Sequence, residues 1–507
     1  MQVSSMEVNP TIKEASQNST KSSGRTPDSE ANEALRRAKD AHLTWASLSL
    51  KTRLGYLRRL EAALADEMDT YIRVLGEDCK KTPMDALMTD IFPTLEAIRY
   101  YRRHAKKMLA DVPVRTPLYM WPAKSRIVRR PYGAVLVLAP WNFPVQLALV
   151  PSITALAAGN TVVLKPSEVL TGIPQLLTET IQRAGLPPYV LQIVEGDSDI
   201  GRALVNAGPD KIFFTGSVKV GKEIAQHAAQ MLIPCDLELS GKDALLVLSD
   251  ANLERAARAA VWGGFLHSGQ VCVSVERVYV DARVKDQFVR LVCQRTLELR
   301  QSTSQFADLG GMTTEAGLAR MQALVDNAVA RGAVVHCGGA VAAGTSRDCY
   351  LPTVLTNVTD QMDVMREEIF GPILPIISFT DESEAIRRVN ASEFGLGASI
   401  FTSNQRHGMA VARQLNVGTC SVNGVILQLS NMNLPFGGVK ASGYGRYHGA
   451  AGIQTFTYEQ ALMTESGRAA KSLTWFPYDE RSYQFLRRWM HWRSRSKNKT
   501  TTEVDRP

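Results

Sequence analysis

The chain has 507 residues, 45% of them hydrophobic and 21% charged, with a net charge of +8. That length supplies core for two or three ordinary globular domains. A charge so modest for the length excludes a uniformly basic protein, and no nucleic-acid partner is expected. No apolar run approaches the roughly 18–20 residues of a membrane span, and the N-terminus lacks an apolar signal core. Seven cysteines stand at 79, 235, 272, 293, 337, 349 and 420, without a CxxC pair or a Cys/His zinc spacing. Neither a disulfide framework nor a metal is expected, and a reducing, cytoplasmic compartment fits best.

Residues 1–28 are rich in Ser, Thr and Asn and are expected to be disordered. From about Glu30 the pattern is helical, with Leu57, Leu60 and Leu64 at helical spacing, and it continues to about Leu109. A buried strand is expected in AVLVLAPWNFP, 134–144, ending in a turn at Pro, Trp and Asn. Helix and strand then alternate. Helices are predicted at 150–159, 171–185 and 218–232, and strands at 159–168, 189–196 and 211–217. Such alternation implies βαβ units and a parallel sheet. A second α/β segment opens with a helix that Asp250 would cap, its apolar stripe running through Leu253, Ala256, Ala257, Ala260 and Val261. The stretch 436–446 is too glycine-rich for either element.

Several residues stand out chemically. Gly216 and Gly221 mark a strand-to-helix turn, where backbone N–H groups can approach a pyrophosphate; a tight packing turn reads equally well. Lys165 and Glu168 follow the preceding strand, where an acid suits a ribose hydroxyl and a lysine a ribose or phosphate; alone, they read as a solvated strand end. Glu238 interrupts an apolar run, which suits a general base whose pKa burial has raised, or a buried carboxylate satisfied by a lysine. Cys272 follows a helix in a loop, GQVC, where a substrate could reach it. Most lone cysteines are instead small buried hydrophobes. Asn142 could donate to an oxyanion or simply satisfy its own turn.

In this order the motifs resemble those of the NAD(P)-dependent aldehyde dehydrogenases. They are PWNFP at 140–144, KPSE at 165–168, FTGSVKVG at 214–221, LELSGK at 237–242, GQVC at 269–272, EEIFGP at 367–372 and PFGGVKASGYGR at 435–446. The resemblance implies an α/β fold: a Rossmann-like cofactor domain, a second α/β catalytic domain and a small oligomerisation arm. The cofactor domain would span 29–237, with an arm around 112–131. The catalytic domain would span 238–422, a return segment and arm 423–470, and a basic tail 471–507. Cys272 would attack the aldehyde carbon, Asn142 and the Cys272 N–H would form the oxyanion hole, and Glu238 would activate water against the thioester. Trp141, Lys165, Glu168, Gly216, Ser217, Gly221, Leu239, Glu368 and Phe370 would bind the cofactor. NAD is favoured because Glu168 would repel a 2′-phosphate, with NADP left open. A homodimer or homotetramer is implied, and GRYHG at 445–449 leans toward the dimeric, class-3-like branch. The alternatives are a CoA-acylating dehydrogenase, which has no need of Glu238, and a non-catalytic NAD-binding relative, which would have lost Cys272 or Asn142.

Ser240 departs from the family's usual ELGGK and puts a side chain beside the implied nicotinamide. The tail departs differently. Residues 481–499 carry seven Lys/Arg and no acid, and Phe485, Trp489 and Trp492 fall at i, i+4 and i+7. Such a helix can lie on an anionic membrane surface, which would suit a long, hydrophobic aldehyde, or it can pack on protein.

Overall fold

In the computed structural model, residues 26–302, 306–342, 348–468, 470–471 and 475–497 are described. The expected disorder of 1–28 therefore lies largely outside the described residues. The first helix, Pro27–Ser47, already includes Pro27 and Asp28, because Thr26 accepts from Ser29 N and Pro27 occupies the first turn. The chain forms two compact units. One holds Arg129–Tyr458 together with the described residues up to Ala110; the other joins Asp111–Val128 to the segment from Glu459 onward.

Two sheets organise the large unit. The first has six strands in the order Gly443–Tyr444, Cys235–Leu239, Lys211–Gly216, Ala134–Leu138, Thr161–Lys165 and Leu191–Ile193. All neighbours are parallel except the Gly443–Tyr444 pairing. Ala134–Leu138 and Thr161–Lys165 are buried at every position, as central strands covered on both faces must be. The second sheet has seven strands in the order Val334–Cys337, Thr353–Thr356, Ile373–Phe379, Val275–Asp281, Asp243–Val247, Gly397–Phe401 and Thr419–Val422.

Three local expectations change. Asp250 does not cap the helix Leu253–Phe265; Asn252 does, accepting from Arg255 N. Asp250 instead takes the hydroxyls of Thr402 and Ser403, two residues upstream of the cap position. The glycine-rich 436–446 is not wholly irregular, since Lys440–Ser442 makes one 3₁₀ turn and Gly443–Tyr444 adds a short strand opposite Leu237 and Glu238. That approach requires glycine, because a Cβ on Gly443 would collide with the Leu237 carbonyl. The helix expected at 150–159 begins earlier, at Gln146, and accommodates Pro151 within it.

The smaller unit contains Val112–Val114 and most of the strands Lys124–Pro131, which pairs antiparallel with Val112–Val114, and Thr457–Thr464, on the far side of Lys124–Pro131. The helix Glu480–Lys497 belongs to the same unit. Its Trp489 ring packs on Tyr119 with centroids 5.5 Å apart.

Candidate active site

The loop before Cys272 is tightly wound. After the helix Leu253–Phe265, His267, Ser268 and Gly269 take φ values of 48°, 54° and 73°. Two successive non-glycine residues in the left-handed region are costly and persist only where the surroundings hold them. Here Ser268 Oγ donates to the Gly310 carbonyl at 2.9 Å, and Gln270 Nε2 donates to His267 O at 3.1 Å. Gln270 Oε1 accepts from Thr313 N at 2.9 Å. Thus anchored, the turn carries Cys272 to the wall of a cavity of about 300 Å³.

Asn142, Glu238, Leu239, Ser240, Glu368 and Phe370 line the same cavity. Asn142 arrives from the turn after Ala134–Leu138, and its Nδ2 donates to Gln270 O at 3.0 Å. The turn is fixed from below. Asp90 Oδ1 accepts from the N–H groups of Val145 and Gln146 at 3.0 and 3.2 Å, satisfying donors that the helix Gln146–Ala158 leaves open. The other Asp90 oxygen pairs with Lys81 at 2.5 Å, both side chains fully buried.

Glu238 lies on the strand Cys235–Leu239, opposite Thr215 on one side and Gly443 on the other. Only 3% of it is exposed, and neither carboxylate oxygen has a hydrogen-bond partner of ordinary geometry. No lysine satisfies it; the nearby Lys242 pairs with Glu276 at 3.0 Å instead. Burial pushes the Glu238 carboxyl up to about 8. Burial, then the charge of Glu238, holds the Cys272 thiol well above the ordinary cysteine range. The protein alone therefore keeps both protons in place near neutral pH, poised between a carboxyl and a thiol.

A second, open cavity of about 400 Å³ runs along the ends of the strands. Trp141, Gly216 and Ser217 line both cavities, and Lys165 and Glu168 line this one. Lys165 Nζ lies 3.0 Å from Glu168 Oε2, and roughly half of the Glu168 side chain remains exposed to the groove. Ser217 caps the helix Val218–Gln230, whose N-terminus faces the groove with the partial positive charge that suits a phosphate. Gly221 lines neither cavity; a Cβ there would come within 2.5 Å of Leu239, so its bareness serves helix–strand packing. A carboxylate, a lysine and a helix N-terminus along one groove that opens toward the thiol fit a dinucleotide.

Glu368 and Phe370 are held by a neighbour that the sequence does not advertise. The Glu276 carboxylate accepts from Ile369 N at 2.9 Å and Phe370 N at 2.9 Å. Phe370 takes φ 54° and meets Trp141 edge-on at 5.5 Å. Glu368 Oε1 accepts from Gly241 N at 3.2 Å, and burial pushes its carboxyl up to about 7. Ser240 is accommodated here, its side chain interacting with Glu368. Arg320, from the distant helix Glu315–Ala330, also reaches this cavity and donates to Glu368 O at 2.9 Å. No motif marks Arg320, Lys81, Asp90 or Glu276: Arg320, Asp90 and Glu276 act across long sequence separations, and Lys81 acts through Asp90.

The aldehyde dehydrogenase family pattern matches residues 2–462. The 4,4'-diapolycopene aldehyde oxidase of a Methylomonas species is 40% identical over 451 residues, 89% of this chain and 84% of that protein. The 4,4'-diaponeurosporen-aldehyde dehydrogenase of Staphylococcus aureus is 33% identical, over 86% of this chain and 94% of that protein. A Staphylococcus aureus AldH structure in its substrate-bound state superposes with a TM-score of 0.83 at 31% identity, covering 90% of this chain and 99% of that one. A family pattern that spans most of the chain, joined to relatives matched over most of their own length, makes this chain a member of the NAD(P)-dependent aldehyde dehydrogenase family, oxidoreductases that convert an aldehyde to a carboxylic acid.

Proposed function

We propose that the chain oxidises a long, apolar aldehyde, with Cys272 as nucleophile, Asn142 as oxyanion donor and Glu238 as the base that activates water. The observation that carries this reading is the sharing of one cavity by these three side chains, next to the groove of Lys165 and Glu168. Cys272 Sγ attacks the carbonyl carbon, and as the S–C bond forms the thiol proton passes to the ionised form of Glu238 beside it, which releases it to solvent before the hydrolytic step. The Asn142 amide and the Cys272 N–H hold the resulting oxyanion. When bound, NAD(P) supplies the acceptor for the hydride lost by the thiohemiacetal carbon. Glu238 then takes a proton from water, the hydroxide adds to the thioester carbonyl, and the thiolate departs with the acid formed.

Trp141, Lys165, Glu168, Gly216, Ser217, Gly221, Leu239, Glu368 and Phe370 form or support the cofactor site in this reading. Lys165 and Glu168 hold the adenosine ribose, and Glu368 the nicotinamide ribose. The carboxylate of Glu168, half exposed to the groove, favours NAD over NADP. The cofactor domain takes 29–237 and the catalytic domain 238–422, the chain crossing from one to the other within the strand Cys235–Leu239. Residues 423–470 return the chain and build an oligomerisation arm, and 471–507 form a basic tail. The strand Thr457–Thr464, exposed from Tyr458 onward and at one edge of its sheet, supports a homodimer or homotetramer. Free thiols at Cys79, Cys235, Cys293 and Cys420 support a cytoplasmic setting.

The substrate class rests on the two relatives whose names specify diapocarotenoid aldehydes. Glu238 argues against a CoA-acylating enzyme, in which a thiol would replace the water. The test is formation of reduced cofactor with a panel of short aliphatic, aromatic, semialdehyde and long polyene aldehydes. The highest kcat/KM is expected for the long apolar members, and preference for a short or acidic aldehyde overturns the substrate class.

A further inference from the structure

The smaller unit has a composition unlike the rest of the chain. Its 67 residues carry thirteen Lys/Arg and seven Asp/Glu, so +6 of the whole chain's +8 resides there. It also exposes large apolar side chains from three separate stretches. Trp121 is 77% exposed, Phe476 78% and Trp492 69%, with Leu118 and Phe485 exposed as well. Water-facing rings in this number are costly on a free surface and mark an interaction face.

The helix Glu480–Lys497 is ordered so that one side can be wet and the other not. Phe485 and Trp492, seven residues apart, share a stripe, and both are exposed. Arg481 and Arg488 repeat the same spacing on the adjoining stripe. Trp489 is the docking point within the unit, between the Tyr119 ring and the Arg493 guanidinium, whose Cζ lies 5.2 Å from its centroid. Among the described residues Arg481 and Arg488 make no ion pair. Rings flanked by unneutralised arginines suit the headgroup boundary of a bilayer, where the ring meets acyl chain and the cation meets phosphate. A second copy fits the exposed stripe of this helix poorly, because it would set the Arg481 and Arg488 row against its like; the oligomer contact proposed above uses the edge strand Thr457–Thr464 instead. No helix among the described residues is long and apolar enough to cross a membrane.

We propose that the helix Glu480–Lys497 seats the enzyme on an anionic lipid surface, through Phe485 and Trp492 with Arg481 and Arg488. The proposal deepens the reading of a long apolar aldehyde, since such a substrate partitions into the bilayer and the seat brings the enzyme to it.

The test is flotation of the full-length protein with vesicles of phosphatidylcholine alone or mixed with phosphatidylglycerol. The chain is expected to float with the anionic vesicles, and to be released by high salt. The pair F485S and W492S, and separately R481E and R488E, should each weaken flotation about tenfold, with oxidation of a short water-soluble aldehyde unchanged. A full-length chain that stays with the unbound fraction overturns the proposal. So does wild-type flotation by both pairs, including the case in which the ring pair changes only the oligomeric mass. If the protein floats but no long aldehyde is oxidised, the lipid seat stands and the substrate reading falls.

Discussion

Asn142 donates its side-chain N–H to the carbonyl of Gln270, 3.0 Å away, so the amide is aligned beside the cysteine loop before any substrate arrives. That alignment separates two roles. Asn142→Ala should lower kcat by about 10²–10³ because an oxyanion donor is lost, while thermal stability falls by only about 1 kcal/mol for one missing hydrogen bond. Steady-state kinetics and a melting curve on the same sample check both. A large loss of stability with unchanged kcat would assign Asn142 to structure alone.

Cys272→Ser should reduce aldehyde oxidation by roughly 10³-fold or more, as removal of a covalent nucleophile does. Binding of NAD, followed by fluorescence, should persist, because Lys165 and Glu168 line a groove that Cys272 does not. Normal turnover by the serine variant would exclude the covalent route.

The pH dependence follows from Glu238. Its carboxyl, pushed up to about 8 by burial, carries a proton through most of the neutral range and cannot accept another. Thioester hydrolysis should therefore rise with pH toward about 8 and level off above it. In Glu238→Gln that limb should vanish. Above pH 8 the same variant should also alkylate faster at Cys272, since the carboxylate charge that raises the thiol has gone. A flat wild-type profile between pH 6 and 9 in single-turnover deacylation would remove Glu238 from the step.

Glu276 is tested through stability and KM together. Its carboxylate pairs with Lys242 and holds the N–H groups of Ile369 and Phe370. Glu276→Gln leaves the Lys242 ammonium buried without its counter-charge, which typically costs about 3–5 kcal/mol. In the molecules that still fold, KM for NAD should rise, because Glu368 and Phe370 lose their support. Denaturant unfolding and cofactor titration measure the two effects.

In the proposed reading Glu168 sets the cofactor preference. Its carboxylate lies 3.0 Å from Lys165 and remains half exposed to the groove. Glu168→Gln should raise kcat/KM for NADP relative to NAD, because the repulsion of a 2′-phosphate is gone and Lys165 is freed. An unchanged ratio would show that the ribose binds elsewhere.

The sequence was most legible where chemistry is local. The strand at 134–138, the turn at Gly216 and Ser217, and the loop of Cys272 each lie within one short motif, and the fold brings them to two adjoining cavities. It was least legible where function depends on distant neighbours. Asp90 reaches across 55 residues to the turn after Asn142, and Glu276 across 94 to Phe370. Neither carries a periodic or motif signal, because a buried acid that binds backbone N–H groups can sit anywhere the fold delivers it. The strand at Gly443–Tyr444 was hidden for another reason: glycine weakens strand propensity, yet only glycine permits this close pairing.

Ser240 and Gly241 show how unevenly change is tolerated in this wall. A Cβ on Gly241 would strike the carbonyl of Cys272, so even alanine there would shove the reactive sulfur out of register. One residue earlier, a hydroxymethyl group finds room and a carboxyl to greet it. Evolutionary drift, and any library built to retune this enzyme, can therefore explore position 240 while position 241 acts as a fixed stop.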